Sequence, residues 1–409
     1  MSKQTRVIII NGYGTMNRGD HALLSLSIDH ARKAFGTDSD VTASVLYPQD
    51  EDPSFFGAKE VVPHILGGIN SSGVKRRFLL ILNVLWFLIV LFTLKEIPFL
   101  GKERTFRAVK KADVVLSCAG GYLNDASTGF IAACAEILLA LRLKKKVILL
   151  PQSIGPFRTN FRKYLVAKLL NNVHLVVARD QPSVETCLQD LKMHGNNIIE
   201  IPDLMFGDLP ELKKNVFKKN KLGITVINWE WPGVNREENQ KRYIMEIANF
   251  IDCVKDKYEI FLFEQVKEQR GVPGDTTAIR QLSEILNKKN ITINFVPSDI
   301  SLKAYIEEIR SCEFFIASRL HSGLFAIVGN VPTITIAYQP KTVGAMKLLG
   351  LEQYSVNIEV VTAEVLWKKL EVLQENRHEI IEVSQQKIEL IQKELNQLPF
   401  RIKEKVEIK

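Results

Sequence analysis

Short β-branched runs alternate with longer helical stretches along this chain, and they do so in two separate series. In the first half the apolar runs fall at residues 7–10, 41–46, 114–117, 147–150 and 175–177, with helical stretches at 22–35, 128–143 and 161–171 between them. In the second half the runs fall at 222–227, 258–263, 291–295, 314–317 and 333–337, with helical stretches at 236–256, 275–287, 301–311 and 321–328. A continuous apolar run has no polar face to give to water. Strands of this kind, separated by helices, therefore predict a parallel sheet covered on both sides. The pattern predicts an α/β protein made of two Rossmann-like domains, at 1–205 and 220–362, joined by a polar, lysine-rich linker from about Asp203 to Lys221. A charged helical tail over 363–409 follows. It either packs back across the hinge or stands in solvent.

The length agrees with two cores, since 409 residues exceed the roughly 250–300 that one core holds. The net charge of +8 suits anionic small substrates, nucleic acid or an anionic membrane, and does not choose among them. No basic stripe interleaved with aromatics and no zinc-finger spacing is present, which argues against nucleic acid. The five cysteines are odd in number and none sits at C-x-x-C spacing. They read as reduced thiols of a cytoplasmic protein, with neither a disulfide framework nor a zinc site. The apolar run at 7–10 is too short for a signal peptide and reads as a first strand.

Residues 78–94 (FLLILNVLWFLIVLFTL) break the soluble pattern. Lys75, Arg76 and Arg77 precede the segment, and Lys95, Lys102, Arg104 and Arg107 follow it. Its length is at the lower limit for crossing a bilayer. A crossing would also separate strands that must share one sheet, and the basic flanks on both sides give no orientation. Two arrangements remain. One is a helix buried in the first domain or at an oligomer interface. The other is a helix lying on an anionic inner leaflet, a peripheral membrane contact assisted by the flanking cations.

Five motifs carry candidate chemistry, each placed after an apolar run, where open α/β sheets bind their ligands. Asn11-Gly-Tyr-Gly-Thr-Met-Asn-Arg-Gly-Asp20 is a glycine-rich turn opening a helix, with Asn17 at its end and Asp20 at or near the helix cap. Its spacing does not match a dinucleotide site. Ser117-Cys-Ala-Gly-Gly-Tyr-Leu-Asn-Asp125 offers Gly120, Gly121 and Asp125. Pro151-Gln-Ser-Ile-Gly-Pro-Phe157 offers Gln152 and Ser153 on a rigid turn. Ala178-Arg-Asp-Gln-Pro-Ser183 offers Arg179, which faces either a ligand or a salt bridge with Asp180 or Asp203. Ala317-Ser-Arg-Leu-His-Ser-Gly323 carries Arg319 and His321 two apart, so that both side chains can leave one side of a strand end; Lys341 follows the next strand. Guanidinium, imidazole and ammonium converging at strand ends suit a multiply charged anion, with one group that titrates near neutrality.

Taken in order, these motifs (the N-x-G-D turn, GG-x-L-x-D, QSIGPF, ARD-x-x-S, PD, SRLH-x-G and Y-x-PK) resemble the polysaccharide pyruvyl transferase family over roughly residues 6–350. The chain departs from that pattern with Ala119 before Gly120 and with His21 after Asp20. The resemblance implies a fold like the two-domain B-type glycosyltransferases, with the active site in the interdomain cleft. It implies phosphoenolpyruvate as donor and a sugar as acceptor, lipid-linked or not, giving a pyruvyl ketal without metal or cofactor. In that scheme Arg319, Lys341 and Arg179 hold the donor, and His321 acts as general acid. Asp20 or Asp125 orients the acceptor. Two other readings stay open. One is a glycosyltransferase using a nucleotide sugar, with Glu264 on the ribose. The other is a membrane-associated scaffold without activity.

Overall fold

The computed structural model describes residues 4–207, 217–229, 231, 235–268 and 274–407. Part of the expected linker, residues 208–216, lies outside them, as do the last two residues of the tail. The chain divides into a first unit of residues 1–15, 20–207 and 391–409 and a second unit of residues 16–19 and 208–390.

In chain order the first unit contributes β1 (Arg6–Ile10), α1 (Arg18–Phe35), β2 (Asp40–Val45), β3 (Glu60–Pro63), α2 (Gly73–Thr93), α3 (Lys102–Lys111), β4 (Val114–Ser117), β5 (Gly120–Leu123), α4 (Phe130–Arg142), β6 (Lys146–Ile154), α5 (Asn160–Leu170), β7 (Leu175–Ala178), α6 (Gln181–Glu185) and β8 (Ile198–Glu200). The first two residues of α1, Arg18 and Gly19, group with the second unit. The strands form one sheet in the order β3-β2-β1-β4-β6-β7-β8, with β5 paired to β6. Every pairing is parallel. The runs of β1, β4 and β7 are buried almost completely, as two covered faces require. Phe106 and Val109 of α3, Ile137 and Leu139 of α4, and Val166 and Leu170 of α5 build the core on one face.

The second unit contributes β9 (Lys221–Thr225), α7 (Arg236–Val254), β10 (Glu259–Phe263), α8 (Thr276–Lys288), β11 (Asn294–Val296), α9 (Leu302–Arg310), β12 (Phe314–Ala317), α10 (Leu320–Val328), β13 (Thr333–Ala337), α11 (Pro340–Leu348), β14 (Ser355–Asn357), α12 (Ala363–Glu375) and α13 (Arg377–Glu407). Its sheet is again all parallel, in the order β11-β10-β9-β12-β13-β14.

Several expectations change in detail. β11 begins three residues later than the apolar run at 291–295, because Ile291 closes the turn after α8 through its N–H to the Leu286 carbonyl (3.0 Å). Leu204, Met205 and Phe206, expected in a polar linker, form a buried helical turn whose Met205 N–H is capped by Asp203 (3.0 Å). The tail is not a solvated helix. From Ile391 onward α13 belongs to the first unit, where Leu395, Leu398 and Ile402 are buried and Lys405 Nζ donates to the Asn196 carbonyl (2.8 Å).

The apolar segment expected at 78–94 is α2, and it is buried on one face only. Asn83, Trp86, Phe87 and Val90 are inside, while Phe78, Ile81, Leu85, Leu88, Ile89 and Phe92 are exposed. Among the described residues it is the one helix long and apolar enough to cross a membrane. The strands that precede and follow it, β3 and β4, lie in the same sheet.

Candidate active site

In each sheet the strand order reverses next to the first strand, between β1 and β4 and between β9 and β12. The loops at such a reversal diverge and leave room for a ligand at the carboxyl ends of the strands. The glycine-rich turn follows β1, and the Arg-Leu-His motif follows β12.

In the first unit, Asn11 follows β1 with a positive φ of 64°. It is held from below by α4: its N–H donates to Glu136 Oε2 (2.7 Å). Glu136 Oε1 also accepts from Ser44 Oγ (2.6 Å) and Ile65 N (3.0 Å). One buried carboxylate thus joins the ends of three strands. His64 donates through Nε2 to the Gly12 carbonyl (2.5 Å). The Tyr13 ring meets His64 edge-on at 5.6 Å and lies 5.5 Å from Tyr122. Burial raises the pKa of the Tyr13 and Tyr122 hydroxyls and pushes the Cys118 thiol up to about 12; Asp20 is among the charges that add to each shift. Burial thus keeps the Cys118 thiol protonated near neutral pH.

The residues expected to bind substrate in this unit are engaged with one another. Gln152 lies inside β6 and donates to the Cys118 carbonyl and to Tyr122 Oη (3.2 Å). Ser153 Oγ accepts from Arg179 Nε (2.6 Å) and donates to Asp180 Oδ2 (2.9 Å). Arg179 Nη1 pairs with Asp203 at 2.6 Å, both side chains being nearly enclosed. Of the two readings of Arg179, the structure shows the salt bridge. Asp125 accepts from the Arg158 N–H and from Arg162 Nη1 (3.3 Å), which ties the loop after β5 to α5. Gly120 and Gly121 form part of the short strand β5 and not an open loop. Gly120 has φ +156°, and a side chain there would meet the Tyr122 ring. Asp20 lies in the first turn of α1, where a carboxylate suits the helix dipole, and is not the cap.

Asn17 provides the cap. Its Oδ1 accepts from the Gly19 N–H (2.9 Å) and from Gln265 Nε2 (3.3 Å), all within the second unit. The segment 16–19 runs antiparallel to 265–267: Asn17 bridges Val266, Arg18 N donates to Gln265 O (3.0 Å), and Lys267 N donates to Met16 O (2.9 Å). Arg18 Nη2 reaches the Ile300 carbonyl (2.6 Å). Gly19 then lies directly against His321. A Cβ placed on Gly19 would sit 1.8 Å from His321 Nδ1, so only glycine leaves room for the imidazole.

Arg319 and His321 do not alternate along a strand. β12 ends at Ala317, Arg319 is the N-cap residue of α10, and His321 is in that helix's first turn. The helix rather than the strand sets their directions. Arg319 donates through Nε (2.9 Å) and Nη2 (2.5 Å) to Asp275 Oδ1. Asp275, fully buried, takes Gln265 N (3.0 Å) and Val266 N (2.9 Å) on its other oxygen. Burial works against the Arg319 charge, but Asp275 and Tyr338 more than offset it and hold the guanidinium protonated above its ordinary pKa. Gln265 Oε1 caps α10 by accepting from Ser322 N (2.8 Å). Gln265 and Asp275, missed in the sequence because neither belongs to a glycine- or histidine-bearing motif, fix both the turn at 16–19 and the start of α10.

Lys341 is exposed in the first turn of α11, which follows the neighbouring strand β13. Trp229 and Tyr338 follow β9 and β13, with ring centroids 4.6 Å apart. Glu264, the expected ribose partner of a nucleotide sugar, is occupied: Oε1 accepts from Thr276 Oγ1 (2.6 Å) and Oε2 from Ser298 Oγ (2.6 Å). Among the described residues no group of His, Cys, Asp and Glu is arranged to hold a metal ion. A cavity of about 510 Å³ in the first unit, lined by residues such as Val61, Leu79 and Leu100, contains none of the expected site residues.

Two parallel α/β units, each with its strand order reversing beside its first strand, define the class. Solved structures of that class resemble this chain along nearly its whole length. MnaA of S. aureus, in a complex with UDP, superposes with a TM-score of 0.59 at 11% identity, covering 93% of this chain and 92% of its own. The UDP-GlcNAc 2-epimerase of Methanocaldococcus jannaschii gives 0.56 at 16% identity, with 89% and 91% covered. A glycosyltransferase of Rickettsia africae gives 0.56 at 10% identity, with 99% of each chain covered. The fold is thus that of the B-type glycosyltransferases and related epimerases. The chain belongs to the polysaccharide pyruvyl transferase family, whose profile matches residues 17–340, and it is a transferase enzyme. The amylovoran biosynthesis protein AmsJ of Erwinia amylovora is 20% identical over 289 residues, covering 66% of this chain and 68% of its own.

Proposed function

We propose that the protein transfers the pyruvyl moiety of phosphoenolpyruvate to two hydroxyls of a sugar in a surface polysaccharide or its precursor, giving a cyclic ketal and inorganic phosphate. The observation that carries this reading is the seating of His321: an imidazole in the first turn of α10, lodged where Gly19 has no side chain, beside an arginine fixed by Asp275. Family membership supplies the pyruvyl group and the sugar acceptor.

His321 delivers a proton to the donor's methylene carbon, which becomes the methyl group. The adjacent carbon gains oxocarbenium character, and one sugar hydroxyl adds to it. The second hydroxyl then displaces phosphate. Of the two hydroxyl protons released, one restores the imidazolium and the other leaves with phosphate. Lys341 and the guanidinium of Arg319, which Asp275 and Tyr338 hold in place, neutralise the donor's carboxylate and phosphate. Asp125 is tied to Arg158 and Arg162 within the first unit.

A nucleotide-sugar donor draws support from the fold shared with UDP-bound proteins. It loses the residue it relied on, since both oxygens of Glu264 are taken by the protein. Incubation with labelled phosphoenolpyruvate or with UDP-sugars, each against a panel of lipid-linked and nucleotide-linked acceptors, separates the two. Phosphate release with a ketal product by mass spectrometry is the expected result. Sugar transfer from a UDP-sugar, with phosphoenolpyruvate left intact, overturns it.

A further inference from the structure

We propose that α2 seats the protein on an anionic membrane surface, with its exposed apolar face in the headgroup boundary and its basic flanks on the lipid phosphates. The proposal goes beyond the transferase reading and does not depend on the donor or the acceptor.

The helix has 21 residues and is about 32 Å long. Its two faces have opposite fates. One is fixed to the first unit: Trp86, Phe87 and Val90 enter the hydrophobic core, Trp86 Nε1 donates to the Ile97 carbonyl (2.9 Å), and the Trp86 ring stacks on Phe99 at 5.6 Å. The other presents large side chains to solvent along the whole length, from Phe78 (59% exposed) through Ile81 (60%), Leu85 and Leu88 to Phe92 (86%). A contiguous apolar strip of this kind is rare on a soluble monomer and marks a docking surface. A crossing orientation is closed to it, because the inner face is anchored and β3 and β4 belong to one sheet. The helix can lie in the interface plane, which needs only the outer face to enter lipid by about 5–10 Å.

Charge selects the occupant. Lys75, Arg76 and Arg77 are exposed in the first turn, and Lys95 is exposed just past the last. Glu96, the nearby carboxylate, is paired with Arg107. A second copy packed α2 against α2 would bring cations onto cations: the basic triplet onto itself if parallel, and onto Lys95 if antiparallel. An anionic lipid surface complements both ends at once, each nearby cation adding attraction that salt screens.

The test is flotation of the purified full chain with vesicles of phosphatidylcholine, with and without phosphatidylglycerol, at low and high salt. One variant, Ile81→Ser/Leu85→Ser/Leu88→Ser/Phe92→Ser, changes exposed positions only and leaves Trp86 and Phe87 in the core. A second, Lys75→Glu/Arg76→Glu/Arg77→Glu, keeps the apolar face. The wild type is expected to float with the anionic vesicles and to be released by salt. The serine variant should bind about tenfold less, and the charge variant should lose the preference for phosphatidylglycerol, both with unchanged melting temperature. If the serine variant fails to fold, the charge variant alone decides. The proposal is overturned if the wild type floats with neither vesicle or equally with both. It is also overturned if the serine variant turns a wild-type dimer into a monomer by light scattering while flotation stays the same.

Discussion

The strand-end clusters of the two units use the same residue types for different ends. In the first unit Arg179, Ser153, Asp180 and Asp203 form a closed network, and Gln152 and Asp125 bond to the protein's own backbone. In the second unit Asp275 and Gln265 fix Arg319 and the start of α10, and that framework presents His321 against a glycine. A polar residue at the end of a strand is therefore not by itself a ligand. What separates the clusters is whether the polar groups end on one another or hold up a further group capable of chemistry.

Substitutions should break the two clusters in different ways. Arg179→Ala leaves the enclosed Asp203 carboxylate without its partner and should lower stability by about 3–5 kcal/mol. Arg179→Met with Asp203→Leu should recover most of it. A loss below about 1 kcal/mol in urea unfolding would show that the network is not structural. Next in size is a pH effect confined to the first unit. Burial, with Lys33 adding to it, pushes the His30 imidazole down to about 4. The unfolded chain takes up that proton near pH 6.5 and the folded one only near 4. His30 stabilises nothing extra above that window, and about 3 kcal/mol of stability is lost as pH falls through it. His30→Gln should flatten the decline, and an unchanged slope would refute the assignment. The smallest effect belongs to the second unit. Gly19→Ala forces the imidazole aside and should lower kcat about 10²-fold. Gly344→Ala, where nothing lies within 4 Å, is the control. Equal rates for the two variants would remove the seating argument.

Much of the architecture was legible in the sequence because buried parallel strands carry their burial in composition. β1, β4 and β12 stand out as apolar runs, and β13 as a β-branched one. The strands β3, β5, β8 and β14 were missed: they are three or four residues long, and Pro63, Gly120-Gly121 and Asn357 carry no β signal. The helix at 73–93 was visible, but which of its faces is buried depends on Phe99 and the core of the first unit, which lie outside its own pattern. The sequence singled out the motif around His321 as a candidate, whereas Asp275 and Gln265 drew no notice. Their role arises only when residues 16–19 come to lie beside 265–267, a contact about 250 residues apart in sequence. The pairing of Arg319 with Asp275 was hidden for the same reason, since Asp275 lies on another element.

The central claim is that His321 does the chemistry and that its surroundings exist to place it. The most direct measurement is the rate of phosphate release from phosphoenolpyruvate, with acceptor present, by His321→Ala protein whose melting temperature matches the wild type. The account predicts a loss of at least about 10²-fold in kcat with the donor's KM little changed. A variant that turns over at the wild-type rate would contradict it.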